Sequence, residues 1–133
     1  MAIHSPKHYF LRASNDFSEI VSAAESSLRK LSYEFLRNET KELVEFEVVS
    51  PKYFRVVVEK RSDPEVHTFI LPSVKRMSGT TIDLRFQESG TIEAVRLFIR
   101  TLLVILPEPP WSGLRFLESR SEKRKWLAII NAK

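Results

Sequence analysis

Hydrophobic positions change period twice along this chain. From Phe17 to Leu31 they recur at helical spacing, with Phe17, Ile20, Val21, Ala24, Leu28 and Leu31 forming one apolar stripe. That spacing predicts a helix over 16–31. Asp16 followed by Glu19 resembles a capping box at its start. Upstream, "HYFLRA" (8–13) predicts a short strand after an irregular lead-in containing Pro6. Downstream the period falls to two. "YEFLR" (33–37) and "ELVEFEVV" (42–49) predict strands on either side of the polar turn "NETK". "YFRVVVEK" (53–60) predicts a further strand, "VHTFIL" (66–71), ended by Pro72, another, and "TIDLRFQ" (81–87) the last. "SVKRMSG" is the longer connection between those two. Val44, Phe46, Val48, Phe54, Val56, Val58, Ile82, Leu84 and Phe86 fall on the inward face. Glu45, Glu47, Arg55, Glu59, Asp83 and Arg85 fall on the outward one. The helical period then returns in "IEAVRLFIRTLLVIL" (92–106), with Thr91 as N-cap and Pro107 as stop. Apart from the stripe of Glu93, Arg96 and Arg100, this helix is apolar nearly all round, the pattern of a helix packed on a sheet.

This order predicts an α+β class: one curved antiparallel sheet of five to six strands, with two helices on one face. In element order, over about 8–106, it is similar to one repeat of the TATA-binding-protein-like fold. The resemblance implies that architecture. It is carried by no motif and implies no functional residue.

The three prolines of "PEPPW" (107–111) predict a stiff linker. It divides a neutral body, 1–111, from a basic C-terminal extension, 112–133, expected to pack on the same domain or on a partner subunit. Two structures compete for the extension. In one, Ser119 and Glu122 form a capping box and a helix starts near 120, with Trp126, Leu127, Ile129 and Ile130 as its apolar stripe. In the other, "LRFLES" and "KWLAII" pair as a hairpin around "RSEKR". The capping box before an amphipathic run is the more specific signal and favours the helix.

Charge sharpens this division. The chain has 21 cations and 17 anions. Arg115, Arg120, Lys123, Arg124, Lys125 and Lys133 stand against Glu118 and Glu122 in 112–133, so the whole formal +4 lies there and the body is neutral. Arg120, Lys123, Arg124 and Lys125 are therefore the candidate contacts to nucleic-acid phosphates. Trp111, Trp126, Leu127 and Ile130 are the candidate contacts to a protein partner or a second copy. The outer sheet face offers Tyr53, Arg55, Val57, Phe69 and Arg85 to a single strand of nucleic acid, but Glu45, Glu47, Glu59 and Asp83 share that face and would repel phosphate.

Catalytic signatures are absent from the sequence. With no cysteine there is no disulfide, thiolate nucleophile or thiolate metal site. His4 and His8 have ligand spacing, but Pro6 lies between them and no third ligand stands near. Glu45 and Glu47 pair on one strand face, which a wet sheet surface explains. Three glycines do not make a phosphate-binding loop. No apolar run is longer than "LLVIL" (102–106), which is far too short to span a bilayer, and no apolar leader follows Met1. A single Gln and three Asn beside many Glu, Lys and Arg resemble a thermophile bias. The expectation is a soluble, cytoplasmic, non-enzymatic module without cofactor or metal, acting through protein contacts or self-association. The alternatives are a nucleic-acid-binding accessory protein using the basic segment, and a small-molecule binder or enzyme with a pocket between the second helix and the sheet.

Overall fold

Alternating inward residues seal one face of an open, five-stranded antiparallel sheet. The computed structural model describes residues 7–62, 66–68, 71–75, 78–86, 91–114 and 116–131. In chain order the elements are β1 (Lys7–Ala13), α1 (Phe17–Lys30), β2 (Glu34–Glu39), β3 (Leu43–Ser50), β4 (Phe54–Ser62), β5 (Val66–Thr68), β6 (Leu71–Lys75), β7 (Ser78–Phe86), α2 (Ile92–Ile105) and α3 (Phe116–Ile130). The sheet order is β1-β7-β4-β3-β2, all antiparallel, and β5 and β6 form a separate hairpin. The expected β-α-β-α order is present, and the class is α+β.

Two expectations about strands are corrected. Among the described residues of the expected strand 66–71, β5 does not join the sheet but pairs with β6, which runs through Pro72 into the segment expected to be a connection. A two-stranded hairpin leaves one side of each strand unpaired, so it accepts a residue with no N–H. β7 also begins at Ser78, earlier than 81, because Lys60, Arg61 and Ser62 continue β4 and pair with it.

Register explains the core. Val58 faces Ile82 and Val44, Val56 faces Leu84 and Phe46, and Phe54 faces Val48. All are buried, as are Leu11 and Phe86. Helices α1 and α2 cover this face and pack on each other, with Ala23, Ala24 and Ser27 of α1 and Ala94 of α2 buried. The Ser27 hydroxyl donates to the Ala23 carbonyl (2.7 Å), which removes the cost of burying it. Phe98 of α2 lies with its ring centroid 6.1 Å from that of Phe54.

Neither expected side-chain cap forms: Asp16 and Thr91 occupy the N-cap positions of α1 and α2 without a side-chain hydrogen bond. The C-terminus of α1 is better specified. Ser32 takes a left-handed conformation (φ 59°), its N–H bonds to Arg29 O, and the N–H of Tyr33 bonds to Leu28 O. This is a Schellman closure with serine where glycine is usual. It turns Tyr33 into the core, where its hydroxyl donates to Ala94 O (3.3 Å).

Burial, and secondarily the Glu93 carboxylate, raise the Tyr33 pKa above its ordinary value. The folded chain then keeps this proton to higher pH than the unfolded chain. The stability tied to neutral Tyr33 is complete below about pH 10 and is lost as pH rises through the raised folded value. In an alkaline absorbance titration, a late-ionising tyrosine is expected, and Tyr33→Phe should remove that late step.

Candidate functional site

The two edges of the sheet are treated differently, and that difference defines the candidate site. In an antiparallel ladder, alternate residues turn N–H and C=O toward one neighbour and the residues between them turn the other way. At edge strand β1, Arg12 turns both groups outward. Its N–H donates to Glu122 Oε2 (3.1 Å), and its C=O accepts from Trp126 Nε1 (3.1 Å). Glu122 and Trp126 are one turn apart on α3. Together they offer an acceptor and a donor as a neighbouring strand would, and they close this part of the edge.

The C-terminal extension is therefore a helix and not a hairpin, and its start is corrected. Because α3 begins at Phe116, Ser119 lies inside the helix and Glu122 closes no capping box. Instead Glu122 is 5% exposed, and its second oxygen accepts from Lys125 Nζ (3.3 Å). Nor does 107–113 act as a free spacer. Pro110 O accepts the N–H of Ser14 (2.7 Å), Glu108 O accepts from Asn15 Nδ2 (3.2 Å), and the N–H of Gly113 donates to Ser14 Oγ (3.2 Å). A Cβ on residue 113 would stand 3.0 Å from Ser14 Cβ, so glycine permits this approach.

The residues singled out from the sequence separate accordingly. Trp126 is fully buried in the chain's own core and is thereby withdrawn from any outer contact surface. Trp111 and Ile130 are partly buried against that core, and Leu127 is exposed. Arg120, Lys123, Arg124 and Lys125 all lie exposed along α3. Lys123 Nζ sits 5.9 Å from the Trp111 ring centroid, and Lys125 is held by Glu122.

At the other edge, β2 ends the sheet. The N–H of Thr40 bonds to Leu43 O (2.8 Å). The β2–β3 register shifts between Glu34 and Phe35 and is regular from Phe35 on, where ladder alternation turns the backbone groups of Leu36 and Asn38 toward β3 and those of Phe35, Arg37 and Glu39 outward. Among the described residues, none bonds to those outward groups. Every β2 side chain except Phe35 is exposed, and Leu36 is 59% exposed. An open groove of about 780 Å³ adjoins this edge, between the N-terminal half of α1 and the β2–β3 turn. Phe17, Val21, Glu25, Arg37, Glu39 and Lys41 are among its lining residues. Arg37 donates to Glu39 (2.6 Å) and Glu25 (3.2 Å). The hydrogen bond to Glu39, and then that to Glu25, outweigh desolvation and raise its pKa, so the guanidinium stays charged and neutralised in place.

The outer face carries three rows across the sheet. They are His8-Arg85-Arg55-Glu47-Leu36, Phe10-Asp83-Val57-Glu45-Asn38 and Arg12-Thr81-Glu59-Leu43. Three arginines stand against four carboxylates, which gives no positive field for phosphate. Much of this charge is paired internally. Asp83 meets His8 and accepts from Arg85 (3.0 Å), and Glu45 is bonded to Arg55, whose pKa it raises. His4 and Phe69 lie outside the described residues. Among the described residues, no helix is long and apolar enough to cross a membrane.

Sequence reasoning missed the open β2 edge and the role of Glu122. The second had a signal: residues 122, 126 and 129 share one helical face, so an acid stands in line with the buried Trp. The first had none, because strand order is not written in any single strand. No protein-family model matches the sequence, and comparison with curated proteins returns no match.

Proposed function

We propose that this chain is a non-enzymatic module acting through protein contacts, and that it takes an extended segment of another chain alongside β2. The observation that carries this reading is the outward backbone of Phe35, Arg37 and Glu39, which no described residue bonds, at an edge that no described helix covers as α3 covers Arg12. In strand addition the main chain supplies affinity and neighbouring pockets select alternate side chains. The groove beside α1 is placed to do the selecting.

Selection of a random displayed-peptide library on the intact chain tests this. Arg37→Pro removes one outward N–H without touching the β2–β3 ladder. Selected peptides should lose at least roughly tenfold in affinity for it, a lost hydrogen bond plus a steric block. Arg37→Ala, which keeps the N–H, separates backbone from side-chain loss, and Arg124→Glu should change nothing. Peptides indifferent to Arg37→Pro, or a selection that yields none, would sink the reading.

A second reading rests on the exposed cations of α3 beside the half-buried Trp111 ring, since clustered cations next to an aromatic favour a nucleic-acid backbone. With about three phosphates of a single strand neutralised, affinity should fall about 20-fold between roughly 50 and 200 mM salt. The double variant Lys123→Glu, Arg124→Glu should abolish it. An unchanged fluorescence anisotropy of labelled single strands at low salt would remove this alternative.

A further inference from the structure

The edge reading above leaves the occupant of β2 open, and the chemistry of the strand narrows it. We infer that the segment paired with β2 is β2 of a second copy, antiparallel about a twofold axis through Leu36.

Only a few twofold registers are available, because outward residues must meet outward residues for the ladder to close. An axis through Arg37 sets Arg37 against its own mate, and like charges directly opposite are unfavourable. Moving the axis to Asn38 leaves Leu36 facing Thr40 and Phe35 facing Lys41 of the other copy, with fewer strand residues paired. An axis through Leu36 sets Leu36 on Leu36, Glu34 on Asn38 and Phe35 on Arg37, and opposes no like charges.

That register also covers the most exposed apolar side chain of the edge. It repeats a contact the chain already makes twice within itself: Arg29 lies 5.5 Å from the Phe35 ring centroid, and Arg37 lies 5.9 Å from that of Phe46. Arg37 needs no new counter-ion, since Glu25 and Glu39 already hold it. The charges that usually guard an edge against pairing are thus satisfied by these contacts. The product joins two five-stranded sheets into one continuous sheet through their β2 edges. Six residues per strand make a small interface, below the roughly 1,200 Å² of standard stable complexes, so the dimer is expected to dissociate on dilution.

The absence of cysteine makes a direct test simple. In this register Leu36 and its mate form a non-hydrogen-bonded pair with Cα atoms about 4.5 Å apart, within the range a disulfide spans. Asn38 is also exposed, on the same face, but it lies four residues out of register with its mate, about 13 Å away, beyond the ~7 Å limit. Under mild oxidation of the full chain, Leu36→Cys should form a covalent dimer rapidly and Asn38→Cys should not. Sedimentation of the unmodified chain should show a mass rising from 15.5 kDa toward twice that value with concentration. Leu36→Lys should stay at the monomer mass. Equal cross-linking of the two cysteine variants, or a monomer mass at every concentration, overturns the inference. If peptides select to β2 while Leu36→Cys fails to cross-link, the edge stands as a contact site and the second copy is the wrong occupant. If neither occurs, the edge reading falls as well.

Discussion

Replacing Trp126 by alanine is expected to cost about 3–5 kcal/mol of stability, the usual range for deleting a large buried aromatic. Trp126 is the largest fully buried side chain of the molecule. Its indole does two things at once: the ring fills the seam where α3 meets the body, and Nε1–H satisfies Arg12 O at the sheet edge. Alanine removes both and leaves a cavity beside an edge carbonyl without a donor. Most domains hold only about 5–15 kcal/mol in total, so the variant should unfold at much lower urea concentration. Trp126→Phe keeps most of the ring and loses the donor alone, which should cost about 1–3 kcal/mol. Glu122→Ala strips the matching acceptor from the Arg12 N–H and should fall in the same range. Urea midpoints of the three variants check the ordering. A Trp126→Ala loss under about 1 kcal/mol would mean that α3 is not part of the cooperative unit.

Phe98→Ala should be of similar size, about 3–5 kcal/mol, for a different reason. Phe98 lies between α2 and the sheet against Phe54, whose ring is T-shaped to that of Tyr33 at a centroid distance of 6.2 Å. Val95, Ile99 and Leu102 of the same helix and Ile82 and Leu84 of β7 are also fully buried. A packed interface of this kind cannot collapse to fill the void, so the cavity cost adds to the lost transfer energy. The result also bears on function. A small-molecule site between α2 and the sheet would need slack there. A loss under about 1 kcal/mol in urea denaturation would reveal such slack and favour the small-molecule alternative. The open groove beside α1 lies outside this interface.

Periodicity carried the fold because burial acts on each element separately. Val44, Phe46 and Val48 alternate in the sequence because one sheet face is dry, and they are buried for that reason. Phe17 through Leu31 recur at helical spacing because one stripe of α1 meets the core. Where the period is weak, the sequence misleads. Residues 66–75 contain strand-formers interrupted by Pro72, and nothing local says that 66–68 pair with 71–75 and not with the sheet. The S-R-S-E spacing fits a helix start and makes Glu122 a capping partner for Ser119 in sequence. The carboxylate bonds instead to an N–H 110 residues earlier in the chain, and no local pattern encodes that separation.

The sequence by itself determined the class of the domain, the inward and outward faces of β3, β4 and β7, and the segregation of net charge into the last 22 residues. These are properties of single segments, set by hydrophobic period and composition. Only the tertiary structure decided which strands stand at the edges and which edge α3 meets. Those outcomes depend on pairing between distant segments, where the energy lies in backbone groups that every residue carries alike. A backbone N–H left outward at Arg37 and one satisfied at Arg12 look the same in sequence. They differ only in whether another part of the chain comes within reach of a hydrogen bond.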